Sequence, residues 1–223
     1  MAKDVEHLVV AIDGPAGSGK STVSKLVAKS LGLLYIDTGA MYRALTLKAL
    51  RSGIDLDDAD AVTALARSTR IDLKEEGGSL RVYLDGEDVS LDIRTPELTN
   101  KVKHVARIPS VRAEMVKQQR AIGERSGAVL EGRDIGTVVF PDAKFKFYLD
   151  ADVEERARRR YKELVEANQK VEFEDIKKDV LLRDESDMKR DVGALKKAAD
   201  AIFVDTTHLS VEEVVNRLLS YIR

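Results

Sequence analysis

Near its N-terminus the chain reads Gly14-Pro-Ala-Gly-Ser-Gly19-Lys20-Ser21, which fills every fixed position of G-x-x-x-x-G-K-[ST]. Glycines let the backbone curl so that successive N–H groups point inward around a phosphate. The helix that follows adds partial positive charge from its N-terminus. Lys20 then reaches the β- and γ-phosphates, and the Ser21 hydroxyl can ligate Mg²⁺. The context fits: the apolar run Leu8-Val-Val-Ala-Ile12 precedes the loop, and Val23, Leu26, Val27 and Leu31 follow at helical spacing. That context outweighs a Gly-rich turn without a ligand. A nucleoside triphosphate is therefore expected, but motors, switches and small-molecule kinases all share such a loop.

Three further clusters could form an acceptor side. Asp37-Thr-Gly-Ala-Met-Tyr-Arg43 follows the second apolar run, at the mouth of an open parallel sheet. Thr38 could cap the next helix and donate to an anion, with Arg43 one turn on; alone, the cluster reads as a simple cap and a solvated arginine. Glu131-Gly-Arg-Asp-Ile-Gly136 leaves another apolar strand. Arg133 and Asp134 there form either a mutual ion pair or part of a site, and strand C-termini are where α/β sites sit. In Arg183-Asp-Glu-Ser-Asp187-Met-Lys-Arg190 the positions 183, 187 and 190 share a helical face. They fit a phosphate and a hydroxyl held together, or a surface pair worth a few tenths of a kcal/mol. In the basic run Arg156 to Arg160, Ala157, Tyr161 and Leu164 form an apolar stripe that leaves Arg156, Arg159 and Arg160 on another side.

These residues need a scaffold, and the chain has room for one: 223 residues, 43% hydrophobic and 34% charged, a globular mixture. The formal net charge of -2 argues against a nucleic-acid polymer held on a basic surface. The absence of cysteine excludes disulfides, a thiolate nucleophile and Cys-ligated zinc. His7, His104 and His208 are too scattered to suggest a metal site. No apolar run approaches the roughly 20 residues of a membrane span, and the N-terminus lacks a signal-peptide core. The expectation is a monomer in the cytoplasm.

Apolar segments alternate with helical ones, which predicts an α/β fold with a parallel sheet flanked by helices. The predicted strands lie at Leu8–Ile12, Leu33–Ile36, Ala128–Glu131, Phe145–Leu149 and Ala201–Val204. Between them, residues 57–94 alternate around Gly77-Gly78 and Asp85-Gly86, the pattern of a small antiparallel meander. Thr95-Pro96 opens one helix. Asp152 with Glu155, and Ser210 with Glu213, form capping patterns for two more.

The set Gly14-Pro-Ala-Gly-Ser-Gly-Lys-Ser, Asp37-Thr-Gly-Ala-Met-Tyr-Arg, Ile93-Arg-Thr, Gly132-Arg-Asp-Ile-Gly-Thr-Val-Val-Phe-Pro and Arg183-Asp-x-x-Asp resembles the bacterial cytidylate kinases over essentially the whole chain. The loop is generic; the second and fourth stretches are far more specific. The resemblance implies transfer of the γ-phosphoryl of ATP to CMP or dCMP, with Mg²⁺. It implies that Gly14, Pro15, Ala16, Gly17, Ser18, Gly19, Lys20, Ser21 and Thr22 bind ATP. Thr38, Arg43, Arg133 and Arg190 would hold the CMP phosphate, Arg183 and Asp187 the sugar, and Arg112 and Asp134 the cytosine. Arg156, Arg159 and Arg160 would belong to a helical lid over ATP, at about 156–190. The core would comprise 1–38 and 106–223, and 39–105 would be a CMP-binding insertion. Two departures stand out: Lys103 falls where the family usually offers a serine to cytosine, and Glu131 where aspartate is common. Lysine is longer and donor-only, so base reading here would lean on Arg112 and Asp134.

Another small-molecule kinase, such as a UMP/CMP or shikimate kinase, is the nearer rival reading. A nucleotide-dependent switch is the more distant one, but a switch needs no second phosphate pocket.

Overall fold

The computed structural model describes residues 8–222; His7 lies outside them. Strand β1 (Val9–Asp13) is the middle of a five-stranded sheet ordered β2-β6-β1-β7-β8, with β2 at Leu34–Asp37, β6 at Ala128–Gly132, β7 at Phe145–Asp150 and β8 at Ile202–Asp205. Every pairing in it is parallel. The strands read as apolar runs because both faces are covered. Val10 and Ile12 turn to one side, against α1 (Lys20–Leu31) and α8 (Val211–Ile222). Ala11, Ile36 and Leu130 turn to the other, toward α2 (Thr38–Arg51) and α5 (Pro109–Ser126).

The meander forms as a separate antiparallel sheet, β3 (Ile71–Glu76), β4 (Ser79–Leu84) and β5 (Glu87–Asp88). It is framed by α3 (Ala59–Ser68) and α4 (Pro96–Ala106). Its inward residues Ile71, Leu73, Val82 and Leu84 belong to the same buried cluster as Ile36 and Leu130. The insertion therefore packs on the central sheet and shares its core. Beyond β7, α6 (Val153–Glu166) and α7 (Phe173–Met188) form a helical hairpin.

Several local expectations are corrected. Asp37, not Thr38, caps α2, accepting from Ala40 N at 2.9 Å. Asp152 precedes α6 but its side chain makes no cap bond. Helix α7 ends at Met188, so Arg190 lies beyond its helical face. The segment Ile135–Val139 winds into a π turn, with Phe140 N donating to Ile135 O at 2.7 Å. By contrast, Thr95 caps α4 with Pro96 in its first turn, and Ser210 and Glu213 bond reciprocally ahead of α8.

Candidate active site

All five parallel strands deliver their C-terminal ends to one edge, where a ligand site in an open α/β sheet belongs. From β1 comes the phosphate loop. Gly14 is required there: a Cβ on it would sit 1.9 Å from the Leu149 carbonyl oxygen. Helix α1 starts at Lys20 with no side-chain cap and no acidic residue in its first turn. Its N–H groups are thus left for an anion. Lys20 is buried and donates to Pro15 O at 2.5 Å and Ser18 Oγ at 3.3 Å. Burial, followed by the charge of Arg133, pushes its pKa down to about 7. The Glu131 and Asp13 carboxylates oppose that shift.

At the end of β6, Glu131 meets the start of α1. Its Oε2 accepts from Ser21 Oγ at 2.9 Å, and its other oxygen accepts from the Tyr35 hydroxyl. Burial, then the nearby Asp37 carboxylate, raises the Glu131 pKa. A hydroxyl and a carboxylate are hard oxygen donors of the kind Mg²⁺ takes, usually together with substrate phosphates rather than in an all-protein cage. The described residues hold no cluster of three His, Cys, Asp or Glu side chains able to bind a metal.

The acceptor-side residues converge. Asp187 is buried and accepts from Arg133 Nε at 2.6 Å and from Arg190. Those two guanidiniums hold its pKa down against the effect of burial. Arg43 pairs with Asp37 at 2.9 Å, and Thr38 donates to the Glu131 carbonyl at 2.7 Å. Arg112 and Asp134 form a buried pair. Arg112 also donates to Ala106 O at 3.1 Å and lies 5.4 Å from the Tyr42 ring centroid. Arg133 and Asp134 therefore do not bond each other; each joins a different partner.

Arg183 has no ion pair or hydrogen bond to a described residue. Although it is open to solvent, the protein packed around it and then the charge of Arg133 lower its pKa to about 10. The Asp187 carboxylate opposes that shift without pairing to Arg183, while Arg43 and Arg160 add to it.

Arg156, Arg159 and Arg160 of α6 are not on one free side. Arg156 is buried at the root of α6, donating to Asp184 at 2.5 Å, Ala151 O at 2.8 Å and Ala16 O at 3.2 Å. Arg159 donates to Glu155 at 2.9 Å and Thr206 O at 2.7 Å. Arg160 reaches Glu163 at 2.9 Å. Thr22 lies exposed on α1, and Lys103 lies exposed on α4 with no side-chain hydrogen bond.

Residues 10–223 match the family model described as Cytidylate kinase. The chain is 51% identical over 216 residues to a cytidylate kinase of Geobacillus sp. (strain WCH70), covering 97% of this chain and 96% of that one. It is 52% identical over 214 residues to a cytidylate kinase of Caldanaerobacter subterraneus subsp. tengcongensis, covering 96% and 94%. The chain belongs to the cytidylate kinase family. A solved structure, an uncharacterized protein from Eubacterium ventriosum ATCC 27560, shares the fold at 13% identity and a TM-score of 0.51, covering 96% of this chain and 98% of that one.

Within this member of the cytidylate kinase family, four residues beyond the sequence candidates shape the site. Tyr35, Tyr42 and Asp184 contact Glu131, Arg112 and Arg156, and Asp13 accepts from the backbone N–H groups of Ile135 and Gly136, just past Asp134. Gly193 closes over Arg112: a Cβ there would fall 2.1 Å from Arg112 Nη2. Tyr42 and Asp184 stand inside stretches that the sequence singles out, and Asp13 is a charge at the end of a buried apolar strand; Tyr35 carries no such signal.

Proposed function

We propose that the chain transfers the γ-phosphoryl of ATP to CMP or dCMP, giving CDP or dCDP and ADP. The observation that carries this is the meeting, at one sheet edge, of a triphosphate loop and a buried Arg112–Asp134 pair beside the Asp187 arginines. Cytosine offers an amino donor to a carboxylate and two acceptors to a guanidinium, which is the pair Asp134 and Arg112 supply.

Residues 14–22 cradle the triphosphate, and Lys20 turns from the Pro15 carbonyl to its phosphates. Ser21, with Glu131 behind it, would hold Mg²⁺, which supplies Lewis-acid neutralisation of the β- and γ-phosphates. Arg133, Arg190, Arg43 and Thr38 hold the acceptor phosphate; Arg183 and Asp187 face the sugar. Lys103, exposed on α4, would reach toward the base. Arg156, Arg159 and Arg160 ride on the lid, at about 156–190, which closes when both nucleotides are bound. Residues 39–105 serve the acceptor, and 1–38 with 106–223 the donor and the catalytic groups. The acceptor phosphate is already anionic, so no general base is required. Phosphoryl transfer of this kind runs on positioning and charge.

We infer a cytoplasmic monomer from the near-neutral charge; no helix among the described residues is long and apolar enough to cross a membrane. Incubating the protein with ATP, Mg²⁺ and CMP and separating the nucleotides tests the activity. CDP and ADP should appear in equal amounts; ADP without CDP would point instead to a bare ATPase.

A further inference from the structure

We infer that Asp13 is a positioning residue that keeps Asp134 turned toward the acceptor. This rests on the assignment of Asp134 to the acceptor base. Asp13 is the last residue of β1, level with Gly132 of β6 in the parallel register. Past that point the β6 chain leaves the sheet and winds into the π turn Ile135–Val139. The first N–H groups of such a turn need acceptors. The residue just before it, here Asp134, would ordinarily supply one from its own side chain.

Asp134 does not do so: its side chain makes no cap bond, and its carboxylate is held by Arg112. The cap comes from the neighbouring strand instead. Asp13 Oδ1 accepts from Ile135 N at 2.8 Å and Oδ2 from Gly136 N at 2.7 Å. Both oxygens of a nearly fully buried carboxylate are thus assigned to the turn that Asp134 opens.

Two consequences follow from this geometry. Without the Asp13 acceptors, two buried N–H groups lose their partners, which is costly. The nearest carboxylate able to replace them is Asp134, which would have to leave Arg112. The same residue also connects the two halves of the reaction, since the phosphate loop begins at Gly14 and Lys20 feels the Asp13 charge. Asp13 thereby ties the donor loop to the acceptor turn through two bonds from backbone N–H groups to its carboxylate.

The decisive variant is Asp13→Asn. Its amide oxygen can accept only one of the two bonds, and its NH₂ faces the other N–H. Calorimetric titration with CMP and, separately, with a non-hydrolysable ATP analogue and Mg²⁺ reads the two sites. We expect CMP affinity to fall about ten-fold or more, the scale of a lost charge-assisted hydrogen bond. Affinity for the ATP analogue should hold or rise, because removing a negative charge beside Lys20 does not disfavour an anion. Equal losses for both nucleotides with a lowered melting temperature would mean a structural role only, and unchanged CMP affinity would equally overturn the inference. Should Asp13→Asn not fold, Gly136→Ala probes the same bond. Its Cβ would stand 3.4 Å from Asp13 Oδ2 and 3.3 Å from Lys146 Cδ, and it should shift CMP affinity in the same direction by less; no shift overturns the inference. Asp134→Ala separates the two levels: if it leaves CMP binding intact, the acceptor assignment itself fails.

Discussion

Ser21 donates its hydroxyl hydrogen to Glu131 at 2.9 Å, joining the start of α1 to the end of β6. With Tyr35 on the other oxygen, Glu131 has one fixed orientation at the foot of the phosphate loop. A carboxylate held there favours a divalent cation beside the Ser21 hydroxyl. Glu131→Gln keeps the shape and removes the charge. Its Mn²⁺ affinity in the presence of ADP, followed by electron paramagnetic resonance of the free ion, should fall about 10- to 100-fold, the range for a lost outer-shell partner. Unchanged Mn²⁺ affinity would remove Glu131 from the metal side.

Lys20 gives a prediction with a definite sign. Unfolded, it keeps its proton up to its ordinary value of 10.5; folded and ligand-free, only to about 7. Between those values folding releases a proton, so the Lys20 contribution makes ligand-free stability rise with pH across that window. A bound triphosphate reverses the bias. Binding of an ATP analogue near pH ~8.5 should therefore take up about one proton, read from calorimetry in buffers of different ionisation enthalpy. Lys20→Ala should abolish that uptake and lower turnover by about two or three orders of magnitude. Equal binding heats in all buffers for the unmodified protein would contradict the assignment.

The lid proposed at about 156–190 has a test of its own. Arg156 ties α6 to α7 through Asp184 and to the phosphate loop through the Ala16 carbonyl. Arg183 nearby has no counter-ion among the described residues. Anions entering this cleft should draw the hairpin inward, as substrates do in other lidded enzymes. Hydrogen exchange across residues 156–190 should slow when an ATP analogue and CMP are added together. Exchange indifferent to both nucleotides would rule out the closure.

What the sequence made legible follows from range. The phosphate loop, the meander turns and the caps at Thr95 and Ser210 are local, and they appear where the spacing places them. Strand runs were legible because two-sided burial leaves them uniformly apolar. The partners of charged residues were not legible. Arg156 looked free because helical spacing shows an apolar stripe but not that Asp184, on another helix, meets it. Arg133 and Asp134 are adjacent in sequence yet bind partners 54 and 22 positions away. Asp37 and Thr38 are adjacent residues of cap-forming type, and spacing alone does not tell which one caps; the Asp37 carboxylate caps α2. Asp13 gained its meaning only when β1 and β6 were set side by side.

The most direct measurement is kcat/KM for CMP, dCMP and UMP with saturating ATP and Mg²⁺, in the unmodified protein and in Asp134→Ala and Lys103→Ser. Uracil places an oxygen opposite Asp134 and an N–H opposite Arg112, so both groups lose their partners. Sites that read buried polar groups discriminate by up to about 10⁴. CMP and dCMP should lead UMP clearly, by a margin smaller than that ceiling because the Lys103 ammonium can donate to uracil O4. Asp134→Ala should narrow the margin and Lys103→Ser should widen it. UMP phosphorylated as efficiently as CMP by the unmodified protein would contradict the account.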